Sequence, residues 1–217
     1  MKNWWMGLAV AASLVAGAAP AALALNAKDR AAVAQVEKFL NSFRTLQGDF
    51  TQISPRGRVS TGKLFISRPG RMRFEYTPPH PLVIVSDGTW VAVRNNAKDK
   101  VDYFPLSKTP LRIVLAGKVD LDRDAVIQKV DRQEGLLFIT LKDRDKLVPG
   151  NLMLVFDPQR NVLQQWTVID GHGRRTTITL SQLKKDVRLN ARLFKVKRPG
   201  DGPRRAPKRQ NFGARKH

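Results

Sequence analysis

The chain has no cysteine among its 217 residues. That absence excludes disulfide scaffolds, thiolate metal sites and thiol nucleophiles, and it removes the lipid-acceptor cysteine that a bacterial lipoprotein needs. Histidine is almost as scarce. His80, His172 and His217 are the only three, and none belongs to an HExxH pattern or an i, i+4 pair able to share a metal. No Gly-x-Ser-x-Gly elbow accompanies Ser86-Asp87-Gly88, which reads as a hairpin turn. Asp120, Asp122 and Asp124 depart from a calcium loop, because Ala125 stands where the sixth-position glycine is required. A chain so poor in reactive groups is expected to bind rather than catalyse, with no metal and no cofactor. Acidic residues are also few, 18 against 39 Lys and Arg, so the net charge is +21 and exposed surface attracts anions.

Long apolar runs are missing everywhere except the start. Trp4 to Ala19 is followed by small residues ending Ala22-Leu23-Ala24, the pattern of a cleavable signal peptide over residues 1–24; an uncleaved anchor is the alternative. Export places the protein in the periplasm of a bacterium. No second core or repeat is evident, so residues 25–198 form one domain. Residues 195–217 hold nine Lys or Arg and one Asp in a Pro- and Gly-rich stretch. Such a composition cannot bury apolar area, and residues 199–217 are expected to be a disordered basic tail. Nucleic acid is scarce outside the cytoplasm, so anionic head groups or an acidic protein are the partners that charge suggests, not nucleic acid.

Periodicity supplies the architecture. Val33, Val36, Leu40 and Phe43 recur at helical spacing within residues 27–45. The period then becomes two: Met72, Phe74 and Tyr76 alternate with Arg71, Arg73 and Glu75, a strand with one apolar face. PLVIVS, TWVAVRN, KVDYFPL, GLLFITLKD, NLMLVFD, NVLQQWTVID and RRTTITLSQL follow, joined by Ser-Asp-Gly, Asp-Pro and Asp-Gly turns. Consecutive hairpins imply an antiparallel meander. TPLRIVLAG interrupts it as a short apolar helix, with Thr109 as cap, Pro110 in the first turn and Gly117 at the end. The fold class is mainly β (α+β): a single, strongly curved, incomplete antiparallel barrel whose concave face is roofed by apolar helices.

GDFTQ, followed by TGKLFISRPGRMRFEYTPPHPLVIVSDG, resembles the periplasmic outer-membrane lipoprotein carrier family, the LolA-like proteins. Weaker similarity continues through TPLRIVLAG, DPQRNVLQQW and LNARLFKVKRP, so it covers nearly the whole mature chain. The resemblance implies a half-barrel carrier, likewise monomeric and without cofactor. It would take acylated lipoproteins from an inner-membrane ABC-type release complex and deliver them to an outer-membrane receptor or to the outer membrane itself. Arg68 matches the family arginine that latches the lid through backbone carbonyls, here near Val114 to Ala116. Phe50, Leu64, Ile66, Met72, Phe74, Tyr76, Trp90 and Leu111 are the acyl-groove candidates. Val36, Leu40, Phe43, Ile113, Val114 and Leu115 are the lid residues. Phe74 stands where the family often has tryptophan. A half-barrel sensor, or a carrier of free phospholipid, is the competing reading.

Overall fold

The structure is a computed structural model that describes residues 25–145 and 148–196. The expected signal peptide and the basic tail from residue 199 lie outside those residues. One helix, α1 (Ala27–Asn41), precedes six strands: β1 (Thr45–Ile53), β2 (Val59–Ser67), β3 (Arg71–Tyr76), β4 (Leu82–Asp87), β5 (Trp90–Asn95) and β6 (Lys100–Pro105). A connection over residues 106–120 and a single turn of helix, α2 (Leu121–Asp124), lead to five more. These are β7 (Ala125–Gln133), β8 (Leu136–Asp143), β9 (Asn151–Asp157), β10 (Val162–Ile169) and β11 (Arg175–Lys185).

All eleven strands join one open sheet in the order β6-β5-β4-β3-β2-β1-β11-β10-β9-β8-β7. Every pairing is antiparallel. Two hairpin meanders are thus stitched together where β1 pairs with β11. The edges β6 and β7 are consecutive in sequence, so residues 106–124 must travel from one edge to the other. They do so over the apolar face, which makes them half of its roof.

The other half is α1. Asn26 caps it by accepting from Asp29 N at 2.9 Å, and the helix stops at Ser42, earlier than residue 45, because Thr45 already belongs to β1. Its buried side is Ala32, Val33, Val36, Phe39 and Leu40, and Phe43 beyond it is buried as well. Together with residues 113–115 these side chains meet Leu46, Phe50, Leu64, Ile66, Met72 and Phe74 from one meander. Ile139, Leu141, Leu152, Leu154, Phe156 and Trp166 face them from the other in a single core.

TPLRIVLAG does not form the expected helix. Only Pro110–Arg112 is helical, a 3-10 turn, and Thr109 lends no cap: its hydroxyl donates to Leu106 O instead. The β-branched pair Ile113 and Val114 disfavours propagation over so short a stretch, and Ile113, Val114 and Leu115 are all buried. Asp120 serves as cap of α2, accepting from Arg123 N at 2.8 Å. Strands β1 and β7, which the periodicity did not single out, complete the sheet.

Gly62 lets the sheet fill its own concavity. A Cβ there would lie 2.1 Å from Glu75 O and 2.7 Å from the Phe50 ring. That ring occupies the vacant space and stands edge-to-face with Phe74 (4.9 Å between centroids) and Tyr76 (5.1 Å). Gly62→Ala therefore forces the ring and the ladder apart, with an expected loss of about 1–3 kcal/mol in urea unfolding. Unaltered stability would show that the Phe50 stack is not tightly determined.

Candidate functional site: a roofed apolar face

Strand parity sets which side chains meet the roof. β1–β2–β3 registers Leu46 with Ile66 and Met72, and Leu64 with Phe74. Phe50, Leu64, Ile66, Met72, Phe74 and Tyr76 are all buried on this concave face, and Leu111 packs half-buried against it. Trp90 does not belong there. β5 puts Val91 opposite Ser86, on the same face as Met72, and alternation therefore turns Trp90 outward with Ala92 and Arg94. Its place on the concave side is taken by Trp166 of β10, which stands edge-to-face with Phe74 at 6.2 Å. Within NVLQQWTVID Trp166 shares its parity with Val168, but a register irregularity between Leu163 and Gln165 brings Leu163, of the other parity, into the same core.

Val36, Leu40, Phe43, Ile113, Val114 and Leu115 are all buried beneath the roof. Between roof and sheet a cavity of about 10 Å³ remains, walled by Phe43, Ile66, Val114, Trp166 and Leu180 among others. That is at the lower limit for one water molecule, roughly 10–15 Å³. The roof's own side chains fill the hollow, so no hydrocarbon chain fits until the roof moves.

Arg68 holds the two roof pieces to the sheet. It follows Ile66 by strand parity, is 5 % exposed, and donates from Nη1 to Leu40 O of α1 and from Nη2 to Val114 O at 2.9 Å. Its guanidinium lies 4.5 Å from the centroid of the Phe43 ring. No carboxylate faces it, and Nε has no partner among the described residues. Burial pulls its pKa down to about 10, so the charge persists at neutral pH while its hydration is lost.

The residues after Arg68 extend this contact. Gly70 N donates to Leu115 O at 2.8 Å, and Ser86 Oγ donates to Gly70 O at 2.7 Å. Gly70, at φ 71°, packs so closely on Gly88 that a Cβ would sit 2.6 Å from the Gly88 Cα. The Arg-Pro-Gly and Ser-Asp-Gly turns, far apart in sequence, thus meet under the 110–117 segment. Asp87 shapes the second turn by accepting from Thr89 N and Trp90 N, each at 2.8 Å.

A residue pair that the sequence did not single out fixes the same segment from the other side. Arg112 donates from Nε to Asp143 Oδ2 at 2.6 Å and from Nη2 to Oδ1, while Asp145 N adds a third donor at 2.8 Å. The Asp143 side chain is fully buried, and its hydrogen bonds push the Arg112 pKa above its ordinary value. α1 is tied to the connection as well. Asn41 exchanges two 2.8 Å bonds with the Val119 backbone, and Glu37 accepts from Leu121 N at 2.6 Å.

The model of the family described as outer membrane lipoprotein carrier protein LolA matches residues 41–197. The chain belongs to the LolA family. Among relatives, the outer-membrane lipoprotein carrier protein of Chromobacterium violaceum is 30% identical over 190 residues, spanning 83% of this chain and 90% of that one. The protein of the same description from Methylococcus capsulatus is 30% identical over 179 residues, spanning 76% and 83%. Among solved structures, a LolA superfamily protein from Nitrosomonas europaea aligns with a TM-score of 0.46 at 10% identity, covering 77% of this chain and 97% of that one. In this LolA-family chain the turns that carried the sequence resemblance are the ones converging on the roof.

The Arg112–Asp143 pair gives an asymmetric prediction. Arg112→Ala strands a fully buried carboxylate and costs about 3–5 kcal/mol in equilibrium unfolding. Asp143→Ala costs less, because the Arg112 side chain, 33% exposed, turns to water. Equal losses would mean that the pair is not held in this geometry.

Proposed function

We propose that the protein is a non-enzymatic periplasmic carrier that shelters the acyl chains of lipoproteins between the inner and outer membranes. The observation that supports this most strongly is an apolar sheet face covered by two segments from outside the sheet, with a buried arginine that has no counterion as the fastener. In this reading Arg68 is the latch. Phe50, Leu64, Ile66, Met72, Phe74 and Tyr76, with Leu111 at the margin, receive the acyl chains. Val36, Leu40, Phe43, Ile113, Val114 and Leu115 are the roof that yields to them.

Magnitudes favour an exchange over simple filling. An acyl chain of some sixteen carbons withholds about 12 kcal/mol of hydrocarbon from water. Exposing the five large side chains Val33, Val36, Phe39, Leu40 and Phe43 costs roughly 8–15 kcal/mol at about 1.5–3 kcal/mol each. One chain therefore roughly balances the α1 half of the roof, and further chains supply the surplus that keeps cargo bound. Because the roof closes again when cargo leaves, handover to an acceptor is never a step into water. The donor would be an inner-membrane ABC-type release complex. The acceptor would be an outer-membrane receptor or that membrane itself, and the carrier would act as a monomer.

The test uses a fluorescent triacylated lipopeptide and acceptor vesicles of phospholipid. The wild type takes up the lipopeptide and passes it on. Arg68→Leu takes it up and passes it on at least tenfold more slowly, since an apolar residue no longer draws the roof back over the face. Equal handover removes Arg68 from the latch role, and failure of the wild type to take up lipopeptide overturns the carrier reading.

A further inference from the structure

A sheet with one core face should be polar outside, as β3 is with Arg71, Arg73 and Glu75. β4 breaks that rule. Leu82-Val83-Ile84-Val85 is apolar on both faces: Leu82 and Ile84 pack toward the core, while Val83 and Val85 point outward. The outward surface continues through Ala92 of β5 to Val101 and Tyr103 of β6. Val85 and Ala92 are 7% exposed, yet neither belongs to the core cluster. They floor a groove of about 910 Å³ on the convex side. A run apolar on both faces is the mark of a strand covered on both faces.

Among the described residues the chain supplies one wall of that cover. A 3-10 turn, Ala191–Phe194, crosses β3 and β4, held by Arg73 Nη1 donating to Leu193 O at 3.1 Å and by the buried Phe194. Lys195 and Val196 continue along the groove. Residues 197–217 lack the composition to complete it, because they hold eight Lys or Arg, a single Phe, and no Val, Ile, Leu, Met, Trp or Tyr. The groove's own charges, Arg73, Arg94 and Lys195 against the single carboxylate Asp87, oppose such a segment.

The groove ends at β6, an outermost strand whose far side pairs with nothing in the sheet. The opposite edge is guarded. β7 carries Lys129, Asp131 and Arg132, with a register irregularity between Ile127 and Lys129. Charges and bulges of this kind keep other strands away. β6 also carries charges, Lys100 and Asp102, paired with each other at 3.0 Å, and ends at Pro105, but its register with β5 is unbroken and it shows Val101 and Tyr103 on one face and a half-exposed Phe104 on the other. We propose that β6 is a docking strand for a protein partner. An extended segment of that partner adds to the β6 edge, and its groove-facing positions, every second residue, carry apolar and acidic side chains in turn. Its carboxylates meet Arg94 and Lys195. The exposed ladder is what favours a peptide over a lipid, since an acyl chain has no use for backbone donors and acceptors. That the partner is a donor or acceptor of lipoproteins rests on the carrier reading; the chemistry of the edge does not.

The probe is the capped heptapeptide Val-Thr-Glu-Thr-Val-Thr-Glu, whose valines and glutamates share one face of a strand, titrated into the full chain and followed by backbone amide NMR. Saturable shifts are expected in residues 100–104 and at Val196, lost at least tenfold in affinity when alternate peptide nitrogens are methylated or when lysine replaces glutamate. Arg94→Glu, an exposed change, should reverse the preference between the two peptides while leaving lipopeptide uptake intact. Absence of shifts in β6, equal binding of the lysine peptide, or a solution mass showing that a second copy occupies the edge would each overturn the proposal. Peptide failure with normal lipopeptide uptake defeats the docking strand alone; peptide binding without lipopeptide uptake defeats the carrier alone.

Discussion

A guanidinium buried without a carboxylate is the constraint around which this molecule is arranged. Removing a charge from water is costly, and carbonyl dipoles with an aromatic face return part of that cost only while they stay in place. Arg68 obtains its compensation from Leu40 O, Val114 O and the Phe43 ring. All three belong to the roof, none to the sheet. The sheet therefore has an electrostatic demand that only the closed roof satisfies, in addition to the hydrophobic one. A fully charge-paired arginine would bind more tightly but would exert no comparable pull on a particular backbone arrangement.

The contrast with Arg112 sharpens the point. There the charge meets a fully buried carboxylate in a bidentate pair, and the contact joins the 110–117 segment to β8. Of the two roof pieces, that segment has a bidentate ion pair, a backbone bond to Gly70 and covalent continuity with both sheet edges. α1 touches the sheet through apolar side chains, the Leu40 carbonyl and the 2.7 Å Asp29–Arg132 pair, which is partly exposed. Arg132 also donates to Lys28 O, and Gln35 donates to Pro158 O between β9 and β10, while the ties from Asn41 and Glu37 run to the connection. Salt bridges open to water contribute little, so α1 is the piece with less to lose on lifting.

What could be read from the residues follows from the range of each interaction. Alternation in RMRFEY and its neighbours is local and survives into the sheet, which is why the antiparallel meander and the curved fold were legible. The inward position of Arg68 was also legible, because it continues the parity of Leu64 and Ile66. Trp90 was misplaced for a local reason too: one residue of register within TWVAVRN decides its face, and an apolar run on both sides hides the parity. The helix expected in TPLRIVLAG failed because composition there reports burial, not backbone. Asp143 was invisible, since its partner is 31 residues away and nothing near either residue signals the pair.

That same ambiguity at β4 and β5 has a physical content. Had the convex face needed only water, the outward positions would carry charges, as they do on β3, and Trp90 would have been placed without difficulty. The sequence is hardest to read where the sheet is apolar twice over. Curvature concentrates the inner face into a closed core and spreads the outer one, so an apolar outer strip cannot be buried by the sheet itself. Among the described residues only the segment ending at Val196 reaches it. A fold that hides one greasy face behind its own roof thus carries a second, smaller one beside the β6 edge.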